Sequence, residues 1–261
     1  MKDYLALHLQ DLPYFRALLR AVEARFYKDI SLPGPVLDLG CGDGHFASLA
    51  FDKPIEMGLD PWWDPIREAA GRSVYRHLVC AAGDHMPYPD DFFESGISNS
   101  VLEHIPDLDP VLEETARVLK RGAPFIFCVP NHRFLETLSL GRWLDNLGLS
   151  SFANSYRDFF NRISRHYNCD SYSVWERRLT GHGFVIETWW DYFPPPALHV
   201  LEWGHYFGVP SWFCKILFGR WILAQSEWNL YFTDRLVRPH YESDPQSPKG
   251  VYSFYITRLM G

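Results

Sequence analysis

The sequence predicts an α/β fold in which helices cover both faces of a mostly parallel, doubly wound sheet. Two observations predict it. Short apolar runs typical of buried strands alternate with helical patterns over residues 36–130, and a glycine-rich turn follows the first of these runs. The chain has 261 residues, of which 47% are hydrophobic. That is enough to bury a core within one domain, so we predict a single domain over residues 1–261.

The elements of the first half follow in order along the chain. Apolar spacing over residues 12–28 predicts an N-terminal helix, which belongs to a helical cap formed by residues 1–35. Residues 36–130 are the predicted core, with helices from about residue 43, over 64–71 and over 108–120. Its five strands are expected at residues 35–40, 55–60, 77–81, 96–98 and 124–130.

The second half is less regular. Residues 131–170 show no clear period and are predicted as a lid or insertion. A helix from Ser171, ending near Gly181 or Gly183, leads into a sixth strand at residues 185–190. Residues 191–249 are predicted as a loop-rich insertion before the last strand at 251–259. Six of the ten tryptophans lie between residues 189 and 228, so this insertion is expected to be ordered rather than disordered.

Composition excludes several classes of protein. The formal net charge is −7, which disfavours nucleic acid as a partner because phosphate contacts need clustered Lys and Arg. Five cysteines without a CxxC pattern indicate neither a disulfide framework nor a zinc site, and they favour a reducing compartment. The first residues do not resemble a signal peptide, so a cytoplasmic location is expected. The most apolar window, residues 206–224, contains Lys215 and Arg220 and is not expected to span a membrane.

The glycine-rich turn lies in the stretch VLDLGCGDGHF, residues 36–46. Glycines at such a strand-to-helix junction let the backbone pass close to a small ligand. A dinucleotide site would have the spacing GxGxxG, whereas Gly40, Gly42 and Gly44 give GxGxG, and no GK[ST] of a phosphate-binding loop follows. Asp38 would repel a pyrophosphate but suits a cation such as an ammonium. A nicotinamide-dependent oxidoreductase remains the alternative.

These residues resemble the first motif of class I S-adenosylmethionine (SAM)-dependent methyltransferases. The stretches AAGDHMPYPDDFFESGISNSVLEHIPD and VLEETARVLKRGAPFIFCVPN resemble the later motifs of the methyltransferase type 11-like branch. The resemblance is close over residues 36–131 and loose over 164–188. It departs at Arg121, where the family usually has proline, and at the insertion before the last strand. The resemblance implies a Rossmann-like, mostly parallel sheet of seven strands.

The resemblance also implies a cofactor, SAM, whose product is S-adenosylhomocysteine. Asp38 would bind its ammonium, Asp60 the ribose hydroxyls and Asp84 the adenine amino group, while Met86 would pack on the adenine ring. Either Trp62 or Trp63 is expected to cover the adenine or the ribose, and the other to join the core. The full set of predicted cofactor residues is Asp38, Gly40, Cys41, Gly42, Gly44, Asp60, Pro61, Trp62, Gly83, Asp84, His85, Met86, Asn99, Ser100 and His104.

Methyl transfer needs the nucleophile, the methyl group and the sulfur in line, and a neutral hydroxyl acceptor usually needs a base as well. Histidine is suited to that role near neutral pH. His166 is the predicted catalytic residue, as base or acceptor ligand, and His104 and His132 are weaker candidates. His132 and Tyr167 are predicted to contact the acceptor.

The expected acceptor is an oxygen or nitrogen of a small organic molecule. Residues 191–249 would pack onto the sheet or into a dimer, cap a bulky apolar acceptor, or rest on a membrane surface, and the membrane contact is the least favoured because of the negative charge. The chain is expected to be a monomer or a homodimer. A protein that binds SAM without turnover is a further alternative.

Overall fold

A computed structural model describes residues 2–260. Seven strands form one sheet in the order β3-β2-β1-β4-β5-β7-β6, which confirms the predicted fold class. The strands are β1 (Val36–Leu39), β2 (Ile55–Asp60), β3 (Tyr75–Cys80), β4 (Ser95–Asn99), β5 (Pro124–Pro130), β6 (Phe184–Tyr192) and β7 (Tyr252–Leu259).

The helices lie in three groups along the chain. The helices before and between the first five strands are α1 (Tyr4–Asp11), α2 (Tyr14–Tyr27), α3 (His45–Ala50), α4 (Trp63–Ala70) and α5 (Asp109–Val118). Those between β5 and β6 are α6 (Arg133–Glu136), α7 (Ser139–Asn146), α8 (Ser150–Ser164) and α9 (Tyr172–Gly181). Those between β6 and β7 are α10 (Pro195–Phe207), α11 (Val209–Phe218) and α12 (Glu227–Glu242).

The sheet topology creates one crevice suited to a ligand. Strands β1 to β5 are parallel, and β7 runs antiparallel between β5 and β6. From β1 the chain proceeds outward to β2 and β3, and it then returns to the other side of β1 to form β4. Ligands bind at the carboxyl ends of the strands where the order reverses in this way, so the crevice lies beyond β1 and β4.

The N-terminal helices close one side of this crevice. Helix α2 buries nine residues against the sheet side of the core, and α1 packs on it. The side chain of Asp3 accepts a hydrogen bond from the Ala6 backbone N–H and thereby caps α1. This packing fixes the direction of α2, so its polar residues Arg16, Arg20 and Glu23 are held over the crevice or beside it.

The prediction that residues 191–249 are rich in loops is wrong, because α10, α11 and α12 occupy most of this segment. Helix α10 buries Leu198 and Leu201, whereas α11 has no buried residue among its described side chains. A periodic sequence pattern indicates a helix when one face of the helix is apolar and buried and the other is polar and exposed. Because α11 presents apolar side chains to solvent, its sequence lacks this pattern.

The two insertions are connected through the buried carboxylate of Glu202 on α10. It accepts hydrogen bonds from the backbone N–H groups of Ser139 and Leu140 at the start of α7, and from the hydroxyl of Tyr156 on α8. A carboxylate at the N-terminus of a helix satisfies free N–H groups and complements the helix dipole. Glu202 therefore holds α7, α8 and α10 together at one end of the crevice.

The predicted division into a cap, a core, a lid and an aromatic insertion stays a prediction. Every helix within residues 2–260 is too short or too polar to cross a lipid bilayer.

Candidate active site

The glycine-rich turn after β1 has the open backbone that its composition predicts. Gly40, Gly42 and Gly44 have φ values of +77°, +54° and +71°, in the left-handed region that favours glycine. The N–H groups of Gly40 and Cys41 both donate to the carbonyl of Leu59 at 2.7 and 3.0 Å, which fixes the turn against β2. A Cβ atom on Gly40 would lie 2.4 Å from a methyl carbon of Val101, so this position has no space for a side chain.

Asp60, the last residue of β2, holds the turn from the other side. Its carboxylate accepts hydrogen bonds from the backbone N–H groups of Gly42 and Trp62, both at 3.0 Å. Burial raises the pKa of Asp60 above its ordinary value, although these two hydrogen bonds oppose the shift. Asp60 therefore orders the turn, and a carboxylate oxygen can accept further hydrogen bonds from a ligand hydroxyl.

Asp38 lies inside β1 with 5% of its surface exposed. The hydroxyl of Tyr75 donates a hydrogen bond of 2.6 Å to its carboxylate. Burial raises the pKa of Asp38 to about 7, the Tyr75 hydrogen bond lowers it in part, and the nearby Asp60 raises it further. A bound cation would stabilise the ionised carboxylate, so the site is suited to an ammonium group.

A cavity of about 490 Å³ opens above the glycine-rich turn, and we call it the first cavity. It lies at the carboxyl ends of β1 and β4, where the topology predicts a ligand. Seven of the predicted cofactor residues line it: Asp38, Gly40, Cys41, Gly42, Asn99, Ser100 and His104.

The remaining predicted cofactor residues lie outside the first cavity. They are Gly44, Asp60, Pro61, Trp62, Gly83, Asp84, His85 and Met86. Asp84 is exposed, whereas Met86 is 4% exposed and belongs to the same buried cluster as Leu37. The proposed adenine contacts of Asp84 and Met86 therefore stay predictions.

The prediction that one tryptophan of the pair joins the core is wrong. Trp62 is 70% exposed and Trp63 is 65% exposed. Helix α4 begins at Trp63 and buries only Ile66 and Ala69, so neither tryptophan is on the face that packs against the sheet. Both side chains are free to cover a ligand on this side of the turn.

A second cavity of about 730 Å³ adjoins the first. The two share five lining residues: Arg16, Arg20, Ser100, His104 and Trp221. Residues 131–170 and 191–249 supply most of the remaining wall of the second cavity, including Phe134, Ile163, Leu201 and Trp212. The crevice therefore has two compartments that meet beside His104.

His166, the predicted catalytic residue, lines the second cavity, and its ring lies 5.3 Å from that of His104. Burial, together with the neighbouring His104 and His205, lowers the pKa of His166 to about 3. Burial also lowers the pKa of His104. Both imidazoles are therefore neutral near pH 7 and have a lone pair available for a proton or a metal ion. His132 and Tyr167 are exposed and line neither cavity.

Three charged residues of α2 were not predicted from the sequence. Buried Glu23 accepts hydrogen bonds from Arg20 at 2.7 Å, from Asn99 at 2.7 Å and from Ser100 at 2.9 Å, which connects α2 to the end of β4. Arg16 has no carboxylate within 4.0 Å among the described residues. The i, i+4 spacing of Arg16 and Arg20 places both on one helix face, and this spacing was the available signal.

Comparisons with known proteins agree with this geometry. Residues 37–127 match the model of the family described as "Methyltransferase domain". A probable SAM-dependent methyltransferase of Mycolicibacterium smegmatis is 33% identical over 110 residues, which are 41% of each chain. A malonyl-[acyl-carrier protein] O-methyltransferase of Hamiltonella defensa is 30% identical over 93 residues, which are 35% of this chain and 36% of the relative.

Solved structures share the fold of this chain. The crystal structure of a SAM-dependent methyltransferase from Thermotoga maritima superposes with a TM-score of 0.56 at 16% identity, and the match covers 95% of this chain and 91% of that one. Residues 37–127 are therefore a methyltransferase domain that resembles those of class I SAM-dependent methyltransferases, and SAM is the cofactor of such domains. The match spans less than half the length of the two curated relatives.

Proposed function

We propose that this chain transfers the methyl group of SAM to an oxygen or nitrogen atom of a small organic molecule with a bulky apolar part. The observation that carries this proposal is the pair of adjoining cavities. The first lies above the glycine-rich turn and has the buried carboxylate of Asp38 for the ammonium of SAM. The second is separate and large enough for an acceptor, and the two meet at Ser100 and His104.

The chemistry follows from this arrangement. The sulfonium of SAM is an excellent leaving group, so the protein has to align the acceptor with the methyl group and keep water out. A cofactor seated on Asp38 and Asp60 would direct its sulfonium toward the junction of the cavities. His166 lines the second cavity beside this junction and acts on the nucleophilic atom of the acceptor. The guanidinium of Arg16, which has no carboxylate within 4.0 Å among the described residues, suits the carboxylate of the cofactor.

The lining of the second cavity supports an apolar acceptor. Phe134, Ile163, Leu201 and Trp212 contribute apolar surface, and the exposed side chains of α11 extend this surface to the outside of the molecule. The name of the Hamiltonella defensa relative supports oxygen as the methylated atom. The aromatic insertion is accordingly proposed to cap the acceptor.

Incubation with SAM carrying a labelled methyl group tests this proposal. The wild-type protein should transfer label to a component of a panel of apolar alcohols, phenols, carboxylic acids and amines, or of a cell extract. Asp60→Ala should lose transfer, because it removes the carboxylate that orders the turn and is predicted to bind the ribose. Asp107→Ala, which changes an exposed carboxylate elsewhere, is the matched control.

Two results would decide against the proposal. If SAM binds but no label is transferred to the panel or to the extract, the protein binds the cofactor without turnover. If Asp60→Ala transfers label as fast as Asp107→Ala, the cofactor site is not where we place it. His166→Ala is a separate test: full activity in this variant would remove His166 from the role assigned to it.

A further inference from the structure

We propose that Glu103, His104 and His166 form a binding site for a divalent transition-metal ion at the junction of the two cavities. This inference rests on the proposed function, because the ion would bind the nucleophilic oxygen of the acceptor. Each residue offers one ligand atom, and these atoms all lie within 4.8 Å of one another. The residues come from two distant parts of the chain, the short 3-10 turn Leu102–His104 and the segment after α8.

The first argument is an unsatisfied buried carboxylate. Glu103 is 1% exposed, and its Oε2 atom has no hydrogen-bond partner among the described residues. Its Oε1 atom lies 3.8 Å from Nε2 of His104. A buried carboxylate whose oxygen has no hydrogen-bond partner is costly. A bound cation would remove this cost.

The second argument is the orientation of the histidines. Nδ1 of His104 lies 3.0 Å from the carbonyl of Arg165, and this contact is a hydrogen bond when Nδ1 carries the proton. In that tautomer, Nε2 has a free lone pair on the side of Glu103. A backbone carbonyl that orients a metal-binding histidine in this way is common in metal sites. Nδ1 of His166 is also buried, with no hydrogen-bond partner in the part of the chain that the structure describes.

The third argument is that backbone hydrogen bonds hold the two parts of the site together. The carbonyl of Glu103 accepts from the N–H groups of Tyr167 at 2.7 Å and Asn168 at 3.3 Å. The side-chain amide of Asn168 donates to the carbonyls of Leu102 and Ile105 at 3.2 and 2.7 Å. The segment that carries His166 is therefore fixed against the turn that carries the other two ligands.

The charge and the size of the cluster also suit a divalent ion. One carboxylate and two neutral imidazoles carry one negative charge, while the nearby guanidinium of Arg20 is paired with Glu23. In a tetrahedral site with bonds of about 2.0–2.2 Å, the ligand atoms lie roughly 3.3–3.6 Å apart. The three ligand atoms lie within 4.8 Å of one another and must close to this spacing, and the side chain of His104 is 44% exposed, which leaves it room to move.

Two imidazoles and one carboxylate favour ions such as Zn²⁺, Co²⁺ or Fe²⁺, and three protein ligands leave at least one position open. The open position would face the second cavity, which Glu103, His104 and His166 all line. An acceptor hydroxyl bound there would lose its proton to solvent more readily. Its oxygen then forms a bond to the methyl carbon, the carbon–sulfur bond breaks, and the electron pair stays on sulfur as S-adenosylhomocysteine.

Metal binding can be tested without an acceptor. Protein freed of metal by chelation is titrated with Co²⁺ and with Zn²⁺, and binding is followed by calorimetry and, for Co²⁺, by visible absorption. One ion per chain should bind, with absorption bands typical of nitrogen and oxygen ligands. His104→Ala and His166→Ala should each weaken binding by about 10- to 100-fold or more. His77→Ala, an exposed histidine on β3, is the matched control and should bind like the wild type.

Glu103→Gln keeps the shape of the buried side chain but removes its charge, and it should also weaken binding. Its SAM affinity and circular dichroism show whether it has folded, and the two histidine variants keep the test valid if it has not. Failure to bind either ion, or equal binding by wild type and the double variant His104→Ala/His166→Ala, would overturn the site. Methyl transfer that is unchanged after chelation would overturn the role of the ion, whereas metal binding without any methyl transfer would overturn the proposed function alone.

Discussion

Asp38 shows how one buried residue can couple cofactor binding to pH. Folding raises its pKa from the ordinary value of 3.8 to about 7, so between these values the folded state binds more protons than the unfolded state. The ligand-free protein is therefore expected to lose stability as the pH rises from about 4 to about 7. The proposed contact of Asp38 with the ammonium of SAM needs the ionised carboxylate, so cofactor binding should have the opposite dependence.

We predict that SAM binds more tightly as the pH rises toward neutrality. Below about pH 7, the dissociation constant measured by calorimetry should fall by up to about tenfold for each unit of pH. Tyr75→Phe removes the hydrogen bond that favours the ionised form, so the midpoint of this dependence should move to higher pH. A dissociation constant that stays the same from about pH 5.5 to about pH 8.5 would show that Asp38 does not bind the ammonium.

A second prediction concerns the space around Gly40. Gly40→Ala should destabilise the protein by about 2–5 kcal/mol, because left-handed strain adds to a contact of the new Cβ with Val101. Gly122→Ala has a similar φ of +80° but no atom within 4 Å of the new Cβ. Gly122→Ala should lower the free energy of unfolding only by the backbone strain, about 1–2 kcal/mol. Denaturant unfolding measures both values, and equal losses would contradict the account of the turn.

Single residues differ in how well the sequence predicts them. The glycines, Asp38 and Asp60 follow from local spacing, because the turn and its two strands are adjacent in sequence. The sequence could not assign Glu103 and His166 to one site, because 63 positions separate them and only the tertiary fold brings them together. Arg16 was missed because its role depends on where α2 crosses the sheet.

Helix α11 presents large apolar side chains to solvent. Among them, Phe213 is 52% exposed and Leu217 is 70% exposed. Exposed apolar side chains contribute little to folding, and a contiguous group of them usually marks a surface for another molecule. The helix also supplies Trp212 to the second cavity, so its surface is continuous with the proposed acceptor site.

We predict that Phe213→Ser/Leu217→Ser leaves the melting temperature almost unchanged but lowers the fluorescence of a bound apolar dye such as anilinonaphthalene sulfonate. Leu198→Ser on α10 is the contrasting variant, because Leu198 is fully buried. It should destabilise the protein by about 2–5 kcal/mol. A similar loss of stability in the α11 variant would show that α11 packs against the domain rather than facing solvent.

The sequence predicts elements well where burial is periodic. The seven strands were placed from short apolar runs, and α5 and α9 from amphipathic spacing and terminal glycines. The helices of residues 131–170 and 191–249 lacked such a signal, because their apolar residues are divided among the core, the second cavity and the solvent. The prediction of helices therefore failed in segments whose apolar residues line the second cavity or face solvent instead of packing only in the core.

At the scale of the whole molecule, the fold separates two tasks. The sheet and its glycine-rich turn form the first cavity, while α2 and the helices of residues 131–170 and 191–249 enclose the second cavity beside it. The first part could be predicted because its motifs are local. The second depends on how distant helices pack, and Glu202 and Glu23 fix that packing through buried hydrogen bonds.

The crystal structure of the complex with S-adenosylhomocysteine is the most direct test of the central claim. The ligand should lie above the glycine-rich turn, with its ammonium within hydrogen-bond distance of Asp38 and its ribose hydroxyls on Asp60. Its sulfur should face the second cavity beside His104. A ligand bound elsewhere, or one whose sulfur faces away from the second cavity, would contradict the proposed site and the direction of methyl transfer.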